Sequence, residues 1–171
     1  MKNSGKVFED NFRDSAEQVM TFIRLKDPAQ SFNLECKGCK KQKTRFSPKN
    51  ICDFIGFKPP CMYLFELKSH LKSSIPIKAI VKNDEDKRLE KMAIMGRRTG
   101  IGAFVVFNWR DHGNITVAVE ANIVLKYIQF SGRKSIPWKF TVDEGIPIEH
   151  AEMTKNKKYF LGNFLRHADI K

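Results

Sequence analysis

The sequence lacks any apolar run of the roughly 18 residues that a membrane-spanning helix needs. No signal peptide precedes the first predicted helix, so we expect a cytoplasmic protein with no membrane partner. Cysteine is scarce, and in that compartment the four cysteines are expected to be thiols or metal ligands rather than disulfides. The four histidines show no spacing typical of a catalytic triad or a metal site, and we expect all four at the surface: His70, His112, His150 and His167.

Acidic residues are few compared with basic ones. The chain has 19 of the former and 31 of the latter, which gives a net charge of +12 and indicates a polyanionic partner. The excess is clustered after Cys36 in a stretch without any acid, which contains Lys37, Lys40, Lys41, Lys43, Arg45 and Lys49. No long amphipathic helix carries this cluster, so nucleic acid is favoured over an anionic membrane.

The hydrophobic residues predict a packed α/β protein. They make up 42% of the 171 residues, including 14 phenylalanines, and we expect a single domain over residues 1–171. Apolar residues at helical spacing predict helices from Ser4 to about Ile23, from Asn83 or Asp84 to Gly100, over Ala121–Phe130 and over Tyr159–Leu165. Short apolar runs predict strands over Cys52–Phe57, Met62–Lys68, Ile101–Trp109 and Ile115–Val119. This order predicts a mixed sheet flanked by helices.

The two strands joined by the Pro59-Pro60 turn carry charges that a core strand should not have. Alternate strand residues share a face, so Glu66 and Lys68 point one way and Leu67 the other. Asp53, on the other arm of the hairpin, could meet them across it. Charged groups at an apolar sheet are costly unless they bind something, which favours a divalent metal or a phosphate here. The alternative is a structural ion pair at a sheet edge.

Three motifs, in order along the chain, resemble those of one nuclease family. Asp53 followed by Glu66-Leu67-Lys68 resembles the D…(D/E)xK signature of restriction-endonuclease-like nucleases. The segment 5–9, GKVFE, is similar to the GxxFE helix that opens RecU-type Holliday junction resolvases, and the segment 132–137 matches their GRKSIP stretch. The chain therefore resembles a RecU-like resolvase of phage or Gram-positive bacterial type.

The resemblance implies a restriction-endonuclease-like fold with an αβββαβ core, and a homodimer that nicks opposing strands of a four-way DNA junction in recombination and repair. Asp53, Glu66 and the carbonyl of Leu67 would hold Mg²⁺ or Mn²⁺, and Glu9 would bind the metal directly or through water. Lys68 would orient the attacking water and stabilise the transition-state charge. Glu9 lies beside Phe8 at the border of the apolar face of its helix, and from the residues alone a solvated Glu9 is the alternative.

The basic segment has a counterpart in the family. In RecU-like enzymes a stalk projects between the first helix and the first catalytic strand, and residues 34–45 occupy that position here, although the segment is short. DNA contacts are expected from this segment and from the loop 132–137, through Lys37, Lys40, Lys41, Lys43, Arg45, Arg133 and Lys134. The family's His-Gln pair early in the second helix is missing.

Cys36-x-x-Cys39 is half of a zinc knuckle, to which Cys52 and Cys61 could add the other half. We do not favour Zn²⁺, because the latter two belong to the catalytic hairpin. Besides the resolvase, two other functions stay open: another endonuclease of the same fold, and a non-catalytic DNA-binding modulator of recombination. Any recombinase partner is unknown.

Overall fold

The structure is a computed structural model in which residues 4–25, 50–81, 87–154 and 156–168 are described. The helices are α1 (Ser4–Ala16), α2 (Arg88–Met95), α3 (Ala121–Phe130), α4 (Trp138–Glu144) and α5 (Leu161–His167). The strands are β1 (Thr21–Arg24), β2 (Phe54–Lys58), β3 (Cys61–His70), β4 (Ser74–Pro76), β5 (Ile101–Trp109), β6 (Ile115–Glu120), β7 (Ser135–Pro137), β8 (Ile146–Pro147), β9 (His150–Glu152) and β10 (Lys157–Tyr159). No helix in these ranges is long and apolar enough to cross a membrane.

A mixed sheet of six strands organises the described residues, in the order β1-β2-β3-β5-β6-β8. Strands β3 and β5 are parallel, with Met62 opposite Ile101 and His70 opposite Trp109, and the other neighbours are antiparallel. A parallel pair needs a crossover connection, and the crossover between these strands contains α2. The expectation of a mixed α/β sheet flanked by helices is confirmed.

One face of the sheet is covered by α1 and α5. Its core is largely aromatic: Phe12 of α1 and Phe164 of α5 both pack against Phe65 of β3, with ring centroids 5.9 and 5.8 Å apart. The buried Ser15 hydroxyl accepts a hydrogen bond from the Tyr159 backbone N–H at 3.0 Å, which joins α1 to β10 across 144 residues. We call this side of the sheet the aromatic face.

The opposite face is covered by α2 and α3. Leu64, Val105 and Phe107 of the sheet pack there with Met92 of α2 and Val124 of α3. The end of α2 lies very close to β5, because a Cβ added at Gly96 would be 2.9 Å from the Cβ of Ala103. The catalytic candidates Glu66 and Lys68 lie on this side, which we call the α2 face.

The predicted first helix is wrong beyond Ala16. The chain turns there, with the N–H groups of Val19 and Met20 both bonded to the Ala16 carbonyl, and then forms β1. Val19 and Ile23 are 38% and 56% exposed, so the apolar face of the predicted helix does not continue past Ala16. Pairing with β2 supplies the hydrogen bonds of this short strand, and only Phe22 of its four residues is buried.

Other boundaries also differ from the predictions. Helix α2 ends at Met95 rather than Gly100, and the predicted caps Asn83 and Asp84 lie outside the described residues. The loop 132–137 contains β7, which pairs with β4. The terminal helix begins at Leu161, two residues later than predicted, and extends to His167. The strands β5 and β6 and helix α3 are confirmed within one residue.

Several sequence predictions concern residues that are not described. The stalk-like segment 34–45 is among them, with its DNA-binding candidates and the Cys36-Cys39 pair: Lys37, Lys40, Lys41, Lys43 and Arg45. These predictions lie outside the described residues and stay predictions.

Candidate active site

Asp53 lies just before β2, where the main-chain pairing with β3 ends. Its N–H donates to the Phe65 carbonyl at 3.1 Å, and its carboxylate Oδ2 accepts the N–H of Leu67 at 3.0 Å. The Asp53 side chain therefore takes the place of a backbone acceptor at the end of the β2-β3 hydrogen-bond ladder. The hydrogen bond from the Leu67 N–H orients the carboxylate. The expectation that Asp53 meets β3 across the hairpin is confirmed.

Glu66 and Lys68 share the α2 face of β3, as their spacing predicts. Glu66 is only 4% exposed, and its Oε1 accepts a hydrogen bond from Lys68 Nζ at 2.6 Å. Leu67 packs on the aromatic face. A buried carboxylate needs such a partner, because an isolated charge in an apolar core is very costly.

Arg88, at the start of α2, is a second cation beside Glu66. Its NH1 lies 3.7 Å from the same Oε1, within ion-pair range. Sequence reasoning did not include Arg88 in the site, but its side chain is only 21% exposed. The available signal was the spacing to Met92, four residues later and fully buried, since residues four apart share a helix face.

Only one oxygen of the Glu66 carboxylate is paired within the described ranges. The other, Oε2, is buried and has no hydrogen-bond partner among those residues. Burial raises the pKa of Glu66; Lys68 and Arg88 lower it, and the negative charge of Asp53 raises it. An unpaired buried oxygen beside a second carboxylate is a place where a ligand cation would be stabilised.

Glu9 lies near this group but is paired elsewhere. Its carboxylate contacts Arg24 NH2 of β1 at 2.9 Å. Burial raises the pKa of Glu9; Arg24 lowers it and Asp53 raises it, so the two carboxylates are within electrostatic reach. Sequence reasoning missed Arg24 because it extended the helix through this region. The Arg24 guanidinium also lies 5.7 Å from the centre of the Phe54 ring.

The oxygen donors fit a hard divalent cation in kind, because carboxylate and carbonyl oxygens are the ligands that Mg²⁺ and Mn²⁺ prefer. In the described ranges, however, no group of three or more His, Cys, Asp and Glu side chains is placed to hold a metal ion. Of the predicted metal ligands, Asp53 lies beside Glu66 and Leu67, whereas the carboxylate of Glu9 is on Arg24.

Cys52 and Cys61 are free thiols at opposite ends of the hairpin. Cys52 precedes β2 rather than lying in it, and is buried on the α2 face with its Sγ bonded to the Phe54 carbonyl. Burial and the neighbouring Glu66 charge raise the pKa of Cys52 to about 12. The thiol therefore stays protonated at neutral pH.

Two of the predicted DNA contacts lie in a described part of the chain. Arg133 and Lys134 are exposed immediately before β7, and the Lys134 carbonyl accepts the Ile77 N–H at 3.0 Å. Three histidines are half-buried rather than at the surface, and the fourth, His167, is exposed as expected.

Among known proteins, no family model matches this chain and no curated protein is significantly similar to it.

Proposed function

We propose that the protein is a metal-dependent endodeoxyribonuclease that resolves four-way DNA junctions, similar to RecU-type resolvases. The observation that carries this proposal is the buried Glu66, which joins Lys68 and Arg88 beside Asp53. A structural ion pair needs only one cation and would have both carboxylate oxygens satisfied, whereas Oε2 is unpaired among the described residues.

The order of elements supports a restriction-endonuclease-like fold. Apart from the three-residue strand β4, the chain runs α1, β1, β2, β3, α2, β5, which is the order of an αβββαβ core. The hairpin β2-β3 lies inside the sheet with Asp53 and Glu66 on adjacent arms. The strand β1, which the sequence did not predict, would be the first strand of that core.

Asp53, Glu66 and the carbonyl of Leu67 would hold Mg²⁺ or Mn²⁺, and Glu9 would join them directly or through water once it leaves Arg24. Such a cation would neutralise negative charge on the phosphate and lower the pKa of a water molecule bound to it. The unpaired Oε2 of Glu66 is the donor that fits this role without losing an existing hydrogen bond.

The chain's own cations have separate tasks. Lys68 Nζ has further hydrogens beyond the one donated to Glu66, and it would donate to the attacking water or a phosphate oxygen. The Arg88 guanidinium is a planar group of donors, and this geometry matches two oxygens of one phosphate. Both cations would stabilise the negative charge that develops on the phosphate during attack.

Junction specificity rests on the three motifs and on the charge. A homodimer would place two such sites about a two-fold axis and allow paired nicks in opposing strands. The net charge of +12 suits a branched polyanion. The resemblance implies products with 5′-phosphate and 3′-hydroxyl ends.

A cleavage assay tests the proposal. Labelled four-way junction and matched linear duplex are incubated with and without Mg²⁺, using wild-type protein, Asp53→Asn, Glu66→Gln and the exposed control Glu90→Gln of α2. We expect metal-dependent cleavage of the junction, loss of about 10²-fold or more in the first two variants, and no loss in the control. Junction binding should persist or tighten, because each substitution removes a charge that repels phosphate.

Three results would contradict the proposal. Near wild-type cleavage by either variant would overturn the assignment of the site. Equal cutting of junction and duplex would favour a different endonuclease of this fold. Binding without cleavage under any metal condition would favour a non-catalytic DNA-binding protein.

A further inference from the structure

A second group of basic side chains lies where the parallel strands β3 and β5 end. His70 is the last residue of β3, and its carbonyl accepts the N–H of Arg110, the residue after β5, at 2.9 Å. Lys72 follows two residues after His70 and is exposed. His112 lies in the turn that connects β5 to β6. These four residues form what we call the strand-end cluster.

Two nitrogens of the strand-end cluster lack a hydrogen-bond partner in the part of the chain that the structure describes. Arg110 Nε and His112 Nε2 are buried atoms without one among the described residues. Leaving such groups unpaired costs about 1–3 kcal/mol each, so they are typical of a place where a ligand supplies the missing acceptor. The neighbouring Asp111 is exposed, and no ion pair joins Arg110 to any described carboxylate.

The position of His112 is fixed by stacking. Its ring lies against that of Trp138, with centroids 4.4 Å apart and an interplanar angle of 20°. The Trp138 N–H donates to the Ser73 carbonyl at 2.9 Å, which connects this stack to the segment after β3. The two chain segments that carry the strand-end cluster are therefore held in place by each other and by Trp138, so the cluster is not a set of independent surface side chains.

The electrostatic environment of His70 is positive. Burial lowers the pKa of His70, and the charges of Arg110 and Lys72 lower it further. A hydrogen bond between the imidazole and the Ser74 backbone raises it. The strand-end cluster thus concentrates positive charge at a half-buried position, which an anion would relieve.

The strand-end cluster shares a face with the candidate active site. Every second residue of a strand points to the same face, so His70 of β3 points to the same side as Glu66 and Lys68. His70 packs against Trp109, which belongs to the core of the α2 face. Two residues of strand separate Lys68 from His70, a distance of about 7 Å. Since every nucleotide carries a phosphate, a strand cut at Lys68 would bring a flanking phosphate near His70.

We propose that His70, Lys72, Arg110 and His112 form a phosphate-binding subsite, which holds a backbone phosphate of the DNA strand next to the one that is cleaved. This inference rests on the proposed nuclease function and adds the direction in which the bound strand leaves the active site. Arg110 Nε and His112 Nε2 are the donors that the phosphate oxygens satisfy, and exposed Lys72 adds charge at the rim.

The test measures DNA binding as a function of salt, with wild-type protein in EDTA so that no cleavage occurs. Each lost phosphate contact makes the slope of log K against log[salt] less steep by about 0.7–0.9. We expect this change for Arg110→Gln and for Lys72→Gln, and about twice as much for the double variant. The control is Lys58→Gln, which removes the same charge from an exposed position at the far end of β2, and it should leave the slope closer to wild type.

A second measurement does not depend on DNA or on activity. Inorganic phosphate is titrated into wild-type protein, and the imidazole signals of His70 and His112 are followed by NMR. We expect both signals to move in the wild type and to stay in place in the double variant. If Arg110→Gln fails to fold, the exposed Lys72→Gln still tests the inference through the salt slope.

The outcomes separate this inference from the proposed function. Cleavage by wild type together with slopes that do not differ between Lys72→Gln, Arg110→Gln and Lys58→Gln would overturn the subsite and leave the nuclease intact. A slope that depends on the strand-end cluster, without cleavage in any metal, would support the subsite and overturn the nuclease. A protein that neither binds nor cuts DNA would overturn both.

Discussion

The two faces of strand β3 differ in what their residues do. Tyr63, Phe65 and Leu67 enter the aromatic face, where the buried side chains are almost all apolar. Leu64, Glu66 and Lys68 enter the α2 face, where a carboxylate and two cations interrupt the core. One strand thus provides a tightly packed anchor on one side and a charged site on the other.

This difference shows how a buried charge can be tolerated. The Phe65 ring has five aromatic neighbours with centroids at 5.6–6.3 Å, so the backbone of β3 is held from the aromatic side: Phe12, Phe22, Tyr63, Phe104 and Phe164. The packing of Phe65 therefore fixes the position of the next residue, Glu66, although Phe65 itself points away from the candidate site. Because packing on the aromatic face stabilises the strand, the α2 face can carry charged residues that do not contribute to stability.

The strongest test of this comparison changes two consecutive residues. Phe65→Ala removes a fully buried ring and should lower the free energy of unfolding by about 3–5 kcal/mol. Glu66→Gln should leave stability unchanged or raise it, because the raised pKa of Glu66 means that folding disfavours its charge. Denaturant unfolding at pH 7 measures both.

The two variants should separate stability from activity. Phe65→Leu is the control, and it should lose less stability than Phe65→Ala because it leaves a smaller cavity. A loss in Glu66→Gln as large as that in Phe65→Ala would show that the ion pairs of Glu66 are structural. That result would weaken the functional assignment of the α2 face.

The two cysteines of the hairpin test the difference between the faces of β3 through their reactivity toward an alkylating reagent. A pKa of about 12 for Cys52, against an ordinary 9.0, lowers its thiolate fraction about a thousandfold. Brief alkylation of the folded protein followed by peptide mass analysis should therefore label half-exposed Cys61 and spare Cys52. Labelling in denaturant is the control, and both should then react. Rapid labelling of Cys52 in the folded state would mean that the α2 face near Asp53 opens to solvent.

Much of the sheet could be predicted from local pattern. The long apolar run of β5, the Pro59-Pro60 turn and the alternation of β3 are strong signals within short windows, and all were confirmed. Strand β1 was not predicted because it buries one residue in four and depends on its partner β2. Strands β4 and β7 have three residues each, which is too few for any period to appear.

The residues of the candidate site also divide into those that local sequence pattern predicts and those that it does not. Asp53, Glu66 and Lys68 lie on one hairpin, so strand geometry was enough to bring them together. Arg88 reaches Glu66 only because α2 packs on the sheet, and Arg24 reaches Glu9 only because β1 pairs with β2. Those contacts depend on tertiary packing, which one sequence does not reveal.

Arg88 offers a smaller test of the α2 face. Arg88→Gln should lower single-turnover cleavage about 10-fold to 100-fold, since it removes one donor from the developing charge while Lys68 remains. Lys91→Gln, on an exposed position of the same helix, is the matched control and should cut normally. Arg88→Lys should recover part of the rate, because it keeps the charge but loses the planar donors. Equal rates for the Gln variants at both positions would remove Arg88 from the site.

The smallest expected effect is in the pH dependence of stability. Folding raises the pKa of Glu66 and of Glu9 above the ordinary 4.5, so the folded state binds more protons and these groups reduce stability as pH rises above that value. Folding lowers the pKa of His70 and His150 below 6.5, so their effect has the opposite sign: stability is lost as pH falls below 6.5.

A difference curve separates these contributions. The free energy of unfolding of Glu66→Gln minus that of wild type cancels the histidines and Glu9, and leaves the titration of Glu66 together with its coupling to the charged groups beside it. We expect this difference to be constant in acid, to grow as pH rises through 4.5, and to level off above the folded pKa of Glu66. Adding Mg²⁺ should stabilise the wild type at high pH and shrink the difference, because a cation favours the ionised carboxylate. A curve that falls with pH would mean that Lys68 and Arg88 outweigh burial, and that Glu66 is a stabilising ion pair first.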